Sequence, residues 1–357
     1  VAADQTSRRA QVVGTGLIGG SIGRALRDRG WHVSGVDAAP GAAERAVELG
    51  AIDEVGRDPA ADLVVVASPV RTVADEVRRA LAETRGVVTD VGSVKASIVA
   101  EVDDPRFVGG HPMAGSEQLG VEGSDPAMFE GAVWVLTPTP TTDPEAFALV
   151  DATVRSLGAE PVALSPERHD ALVAVVSHVP HLTAAALMGI ADERAEEHAA
   201  LLRLAAGGFR DMTRIAAGTP TIWPDICGEN RDAIVEVIDE LAGELGRLRE
   251  LVAGGDRAGL LSVLERAQRA RRSLPNRVVR PDELAEVRVP VPDRGGVIAE
   301  VSTLAAELGV NIADFEIAHS SEGDRGVLLL LVDRDRAEGF RAGLVERGYR
   351  PTVTPLR

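Results

Sequence analysis

The 357-residue sequence predicts an α/β protein: a doubly wound, mostly parallel sheet, then an all-helical segment, then a small βαββαβ segment. Three observations carry that expectation. Residues 8 to about 164 alternate short apolar runs with amphipathic stretches, the pattern of βαβ units. The first of these units places glycines in G-x-G-x-x-G spacing between a strand and a helix. Beyond Ser165 the strand signals give way to long helical periodicity, and they return only near residue 284.

Taken in order, the apolar runs at 10–13, 32–36, 63–67, 87–89, 107–108 and 133–136 are the expected strands. The stretch GGHPMAGSEQLG (109–120) follows the fifth run, and its glycine pair and proline predict a tight loop around His111. In the helical segment Ile234, Ile238, Leu241, Leu245, Leu248 and Val252 step by 4, 3, 4, 3 and 4, a seam written for another helix. That helix belongs either to the same chain or to a second copy, and a homodimer is the expected use. PNRVVRP (275–281) reads as a linker with proline at both ends. Beyond it come a strand (284–291), a helix (296–308), two strands (311–318 and 326–332), a helix (336–347) and a strand (351–354), a ferredoxin-like order. The expected domains are therefore 1–164, 165–280 and 281–357.

Composition narrows the partners. The chain carries 38 basic against 55 acidic residues, a net charge of −17 with no basic block, which disfavours nucleic acid and anionic membrane surfaces. A small molecule fits better, and an anionic one needs local positive groups. A single cysteine, Cys227, excludes an internal disulfide framework and a multi-cysteine zinc site. No apolar run approaches twenty residues, so no membrane span is expected. The N-terminal VAADQTSRRA lacks a signal-peptide core, so the expected address is the cytoplasm. Lys95 is the only lysine, all other basic residues being arginine, which flags it either as a place where a compact ammonium works and a guanidinium does not, or as chance within a coding bias.

In VVGTGLIGGSIGRAL the glycines are Gly14, Gly16 and Gly19, after a strand and opening a helix. Gly14 makes the turn, Gly16 lets a pyrophosphate approach the backbone, and Gly19 allows close helix–strand packing. The amides of Leu17 and Ile18 then face the phosphates. Asp37 ends the second strand 18 residues after Gly19, where a carboxylate accepts hydrogen bonds from the adenosine ribose. Its neighbours Ala38, Ala39 and Pro40 offer no arginine for a 2′-phosphate, so a Rossmann-type domain binding NAD is expected.

Two further loops stand at expected carboxyl ends of strands: Ser68 and Pro69 in one, TDVGSVK (89–95) with Ser93 and Lys95 in the other. With the His111 stretch they converge where a nicotinamide would lie. His178 and His181 are spaced by three, but no further ligand motif supports a metal there.

The motifs GTGLIGGS, DVGSVK, GGHPMAGSEQLGVEG, SHVPH and GGFRDMTRIAAGTPTIWPDICGEN together resemble the prephenate dehydrogenase family of tyrosine biosynthesis, in the family's order from residue 10 to about 270. VPDRGGVIAEVSTLAAELGVNI (291–312) looks like the start of an ACT domain, a module that commonly binds an amino acid. The resemblance implies NAD-dependent oxidative decarboxylation of prephenate to 4-hydroxyphenylpyruvate. It makes His111 the base that takes the hydroxyl proton, with Ser93 hydrogen-bonding the substrate hydroxyl or orienting His111. It makes Arg214 the carboxylate anchor, a role suited to a planar guanidinium. Asp211, three residues earlier, leaves an i,i+3 ion pair open as its other use. His181, Glu117 and Trp223 are implied at the substrate mouth, with Lys95 adding positive charge. In the ACT-like segment Asp293 and Asn311 are the implied contacts to an amino-acid effector, for which tyrosine is the expected ligand. Gly295 departs from the commoner D-R-P-G turn, which puts that affinity in doubt. The nearest rival is arogenate dehydrogenase, with Glu117 facing an amine. A non-catalytic sensor of NAD and an amino acid is the alternative from another class. A β-hydroxyacid dehydrogenase would be expected to carry a lysine in the helical domain, and none follows Lys95.

Overall fold

The computed structural model describes residues 8–115, 118–197, 204–273, 284–292, 296–319 and 325–355. The chain divides into two compact units, Val1–Glu250 and Leu251–Arg357.

The first unit opens with β1 (Arg9–Val13), α1 (Leu17–Arg27), β2 (His32–Val36), α2 (Ala42–Glu48), β3 (Glu54–Val55), β4 (Leu63–Val66), α3 (Val70–Glu83), β5 (Val87–Asp90) and α4 (Ala96–Glu101). It continues with β6 (Phe107–Pro112), β7 (Val133–Thr137), α5 (Pro144–Ser156) and β8 (Glu160–Ala163). The strands form one sheet in the order β3-β2-β1-β4-β5-β6-β7-β8. Pairing is parallel from β3 through to β6, antiparallel between β6 and β7, and parallel between β7 and β8. Strand order reverses between β1 and β4, so their carboxyl ends form the crevice where such sheets bind ligands. β4 reads Leu-Val-Val-Val and buries all four residues, as a strand covered on both faces must. One covering layer centres on Ile22, Leu26, Ile52, Phe129 and Trp134, the other on Val73, Val77, Leu81, Ile98 and Phe107.

The sequence signal missed β3 and β8. β3 has two residues, and β8 is an edge strand with Pro161 inside it and no buried position. The expected loop around His111 is instead the end of β6, with His111 paired opposite Val135. The glycines are there for closeness. A Cβ on Gly110 would lie 2.7 Å from the Asp90 carbonyl oxygen, and one on Gly109 would strike Thr137 Oγ1. Glycine within a strand marks such an approach.

The helical segment begins with α6 (Pro166–Val173), a π-helical turn (Ala174–His178) and α7 (Val179–Glu197), which run on as one helix. Ser165 caps it, its side chain accepting from the Arg168 amide. By length and apolarity Pro166–Arg194 could cross a membrane. It carries three buried polar side chains, His169, Asp170 and His178, all hydrogen-bonded within the unit. After it come α8 (Gly207–Thr213), 3-10 turns at Arg214–Ala217 and Pro220–Ile222, α9 (Trp223–Glu229) and α10 (Arg231–Ala253). The seam expected on α10 divides. Ile234 and Leu241 pack with Ala174, Val179 and Leu182, whereas Ile238, Leu245 and Val252 are exposed.

The second unit contains α11 (Arg257–Arg272), β9 (Leu284–Pro292), α12 (Val297–Glu307), β10 (Ile312–His319), β11 (Arg325–Asp333), α13 (Arg334–Glu346) and β12 (Thr352–Pro355). Its strands form an antiparallel sheet in the order β10-β11-β9-β12, the βαββαβ arrangement. Val287, Val289 and Val291 alternate on the buried face of β9 and pack with Val301, Leu304, Phe340 and Leu344. Asn311 is exposed immediately before β10. Asp293, Gly295, Glu117 and the linker at 275–281 lie outside the described residues.

Candidate active site

The cofactor side is built from bare backbone. Gly14 has φ +93, a left-handed value that suits glycine, and a Cβ there would lie 2.5 Å from the Ala67 carbonyl oxygen. A Cβ on Gly19 would collide with the Gly14 carbonyl oxygen, so α1 sits directly against the turn. Gly16 is different: a Cβ there would meet nothing within 4 Å, which leaves the open space a phosphate needs. The amides of Leu17 and Ile18 open α1 and have no intrahelical acceptor by their position. Asp37 stands at the end of β2, its Oδ2 accepting from the Thr15 amide at 2.7 Å and its Oδ1 from the Ala39 amide at 2.8 Å. That fixes the carboxylate while lone pairs remain for ribose hydroxyls. Across the crevice Ser68 Oγ is buried without a partner, next to exposed Pro69. An orphaned hydroxyl, an open glycine and a fixed carboxylate fit a dinucleotide.

The other side is built from buried charge. Asp90, at the end of β5, accepts from the Gly92 amide at 2.8 Å and from the Gly110 amide at 3.0 Å, tying the Ser93 loop to the His111 strand. Lys95 Nζ closes on Asp90 Oδ2, and both side chains are fully buried. Lys95 was expected to offer charge to the substrate. The structure gives its ammonium to Asp90 instead, because a buried carboxylate needs a partner. Burial pushes the Lys95 pKa down and Asp90 pulls it back up.

His111 Nδ1 lies 2.8 Å from His169 Nε2, and His169 Nδ1 lies 2.7 Å from Asp170 Oδ1. Asp170 also accepts from the amides of Lys95 and Ala96, both at 2.8 Å. Burial above all, then the electrostatic influence of His169 and Lys95, holds the His111 pKa well below its usual value, so the ring is neutral at pH 7. Asn230 Nδ2 donates to the Asp170 carbonyl at 2.8 Å and faces His178 Nδ1 at 3.2 Å. His178 is pushed down to about 4, mainly by burial. His181 is stacked on Trp223 with ring centroids 3.7 Å apart and planes at 14°, and burial lowers its pKa too. The turn beginning at exposed Arg214 packs against α7, the helix that carries His181.

The structure thus joins His111, Lys95 and the Ser93 loop in one network, and pairs His181 with Trp223. Asp90, His169, Asp170 and Asn230 were not singled out from the sequence. The adjacent His169-Asp170 pair near the start of a capped helix was the one local signal available.

The chain is similar to known proteins in sequence and in fold. The family described as "Prephenate dehydrogenase, nucleotide-binding domain" matches residues 22–163, and "Prephenate dehydrogenase, dimerization domain" matches residues 165–266. The prephenate dehydrogenase of Bacillus subtilis (strain 168) is 34% identical over 347 residues, covering 92% of this chain and 94% of its own. The solved structure of A. aeolicus prephenate dehydrogenase with hydroxyphenyl propionate and NAD+ matches with a TM-score of 0.71 at 34% identity, covering 76% of this chain and 100% of that one. Synechocystis arogenate dehydrogenase matches with a TM-score of 0.64 at 30% identity, over 74% of this chain and 98% of that one. The family matches together cover more than half of the chain, the Bacillus subtilis relative covers nearly all of it, and the chain belongs to the prephenate dehydrogenase family.

Proposed function

We propose that the protein is an NAD-dependent prephenate dehydrogenase that converts prephenate to 4-hydroxyphenylpyruvate in tyrosine biosynthesis. The observation that carries the reading is His111: a neutral imidazole at the end of β6, held by a buried network, in a chain whose first turn fits a dinucleotide. When bound, NAD accepts the hydride. His111 takes the hydroxyl proton, and a neutral imidazole is suited to that near pH 7. Ser93 hydrogen-bonds the same hydroxyl. Arg214 grips a substrate carboxylate bidentately. His181, fixed in plane by Trp223, meets the side chain of the substrate. Ser68, Pro69, Asp37 and the glycine turn hold the cofactor.

The helical segment is the proposed homodimer contact, supported by the exposed Ile238 and Leu245 of α10 and by the dimerization-domain match. The βαββαβ unit is a proposed ACT domain taking tyrosine as effector, supported by its strand order and by the exposed Asn311 immediately before β10. The cytoplasm is the proposed location.

The test is NADH formation by the purified protein with prephenate and with arogenate under matched conditions. Preference for prephenate is expected. The second reading, arogenate dehydrogenation, is favoured by the likeness to the Synechocystis enzyme and keeps the same base and anchor. A strong preference for arogenate would select it, and no turnover of either would reject both.

A further inference from the structure

The proposed reaction turns a dianion into a monoanion, and its proton balance is informative. As the hydride leaves with its electron pair, the O–H bond breaks and the proton moves to His111. As carbon dioxide departs, the C–C bonding pair passes through the ring to the new carbonyl oxygen. That oxygen becomes a phenolate and takes the proton back. No proton is released overall. The base must therefore hold one proton briefly and return it, and it needs a fixed tautomer more than a route to water.

We infer that His169 and Asp170 are positioning residues that fix His111 as the Nδ1–H tautomer, leaving Nε2 as the accepting atom, and that stabilise its imidazolium while the proton is held. The inference rests on the role of His111 proposed above. The hydrogen bonds dictate it. Asp170 accepts from the amides of Lys95 and Ala96, one on each oxygen, so its carboxylate acts as an acceptor only. His169 must then donate Nδ1–H to Oδ1 at 2.7 Å. With its one ring N–H given to Asp170, His169 is assigned as the acceptor at Nε2, and His111 Nδ1, 2.8 Å away, as the donor to it. His169 is fully buried, which keeps water from exchanging with either partner. Its backbone is fixed from both sides: its amide donates to the Ser165 carbonyl at 2.9 Å, and Asn230 holds the Asp170 carbonyl at 2.8 Å. The other charged or titratable groups around the pair, Lys95, Asp90 and His178, are themselves paired or hydrogen-bonded. When His111 is protonated, its Nδ1–H bond strengthens and the Asp170 charge stands one ring away.

Two measurements test this. Nitrogen-15 NMR of the imidazoles in the resting protein, which needs no substrate, should report His111 as Nδ1–H. Asp170→Asn turns an amide donor toward His169, which reverses both rings, so His111 should become Nε2–H. Its kcat should fall by about 10³-fold or more, in line with loss of the correct tautomer elsewhere, while the KM for prephenate and NAD affinity change little. His169→Gln supplies a carbonyl that accepts from His111 and should recover most of the turnover that His169→Leu loses. Wild-type His111 in the Nε2–H form would overturn the inference, as would Asp170→Asn with near-normal kcat. The NMR result stands even if Asp170→Asn fails to fold. Failure of His111 as the base would show separately, as normal turnover in His111→Asn.

Discussion

The two sides of the candidate site are made in opposite ways. The cofactor side removes side chains: Gly14, Gly16 and Gly19 clear a turn in which the backbone does the binding. The chemical side buries them: Asp90, Lys95, His169 and Asp170 lie below the surface and hold His111 from behind. Diphosphate is a large, strongly charged ligand, and several preformed amides suffice for it. Moving one proton in a defined tautomer needs a single ring held at one angle, and buried hydrogen bonds provide that. The first side depends on local chain geometry, the second on contacts between distant parts of the chain.

Substitutions can break or sharpen that contrast. His111→Asn removes the base and leaves the frame, so kcat should fall by about 10²–10⁴-fold while substrate affinity largely survives; steady-state kinetics with direct binding would show it, and near-normal turnover would count against the role. Lys95→Met leaves Asp90 buried and unpaired, which should cost about 3–5 kcal/mol in denaturant unfolding, whereas a loss confined to KM would restore Lys95 to the substrate. Arg214→Gln should raise the KM for prephenate and the Ki of carboxylate analogues about 10–100-fold, the scale of one lost charge-assisted pair; unchanged values would leave the ion pair with Asp211 as its use. Asp37→Ala should weaken NAD about tenfold, the equivalent of one hydrogen bond to a charged group, and fluorescence titration with NAD would show whether it does.

The same contrast explains what the sequence could convey. The glycine turn and Asp37 were legible because fingerprint, strand and acid fall within 24 residues of one βαβ unit. Six of the eight strands of the first unit's sheet and the βαββαβ order were legible because their apolar periods are local. His111 stood out through its glycine pair, yet those glycines read as a loop. Their real reason, the close approach of Asp90 and Thr137, involves other strands. Lys95 stood out by rarity, but its partner Asp90 and its burial did not show. His169 and Asp170 reach His111 and the Lys95 amide across 58 and 75 residues of sequence, and no local pattern records such contacts. The α10 seam was legible as a period, but not its division between an inner cluster and an open face.

The central claim is that this burial keeps His111 a neutral base. The most direct measurement is kcat/KM for prephenate against pH, which reports the groups of the free enzyme. Because the His111 pKa is lowered, the active neutral form should persist as pH falls through the ordinary imidazole value of about 6.5. The account predicts a rate that is flat there, with its acid limb well below that pH. A limb at or above pH 6.5 that vanishes in His111→Asn would contradict it.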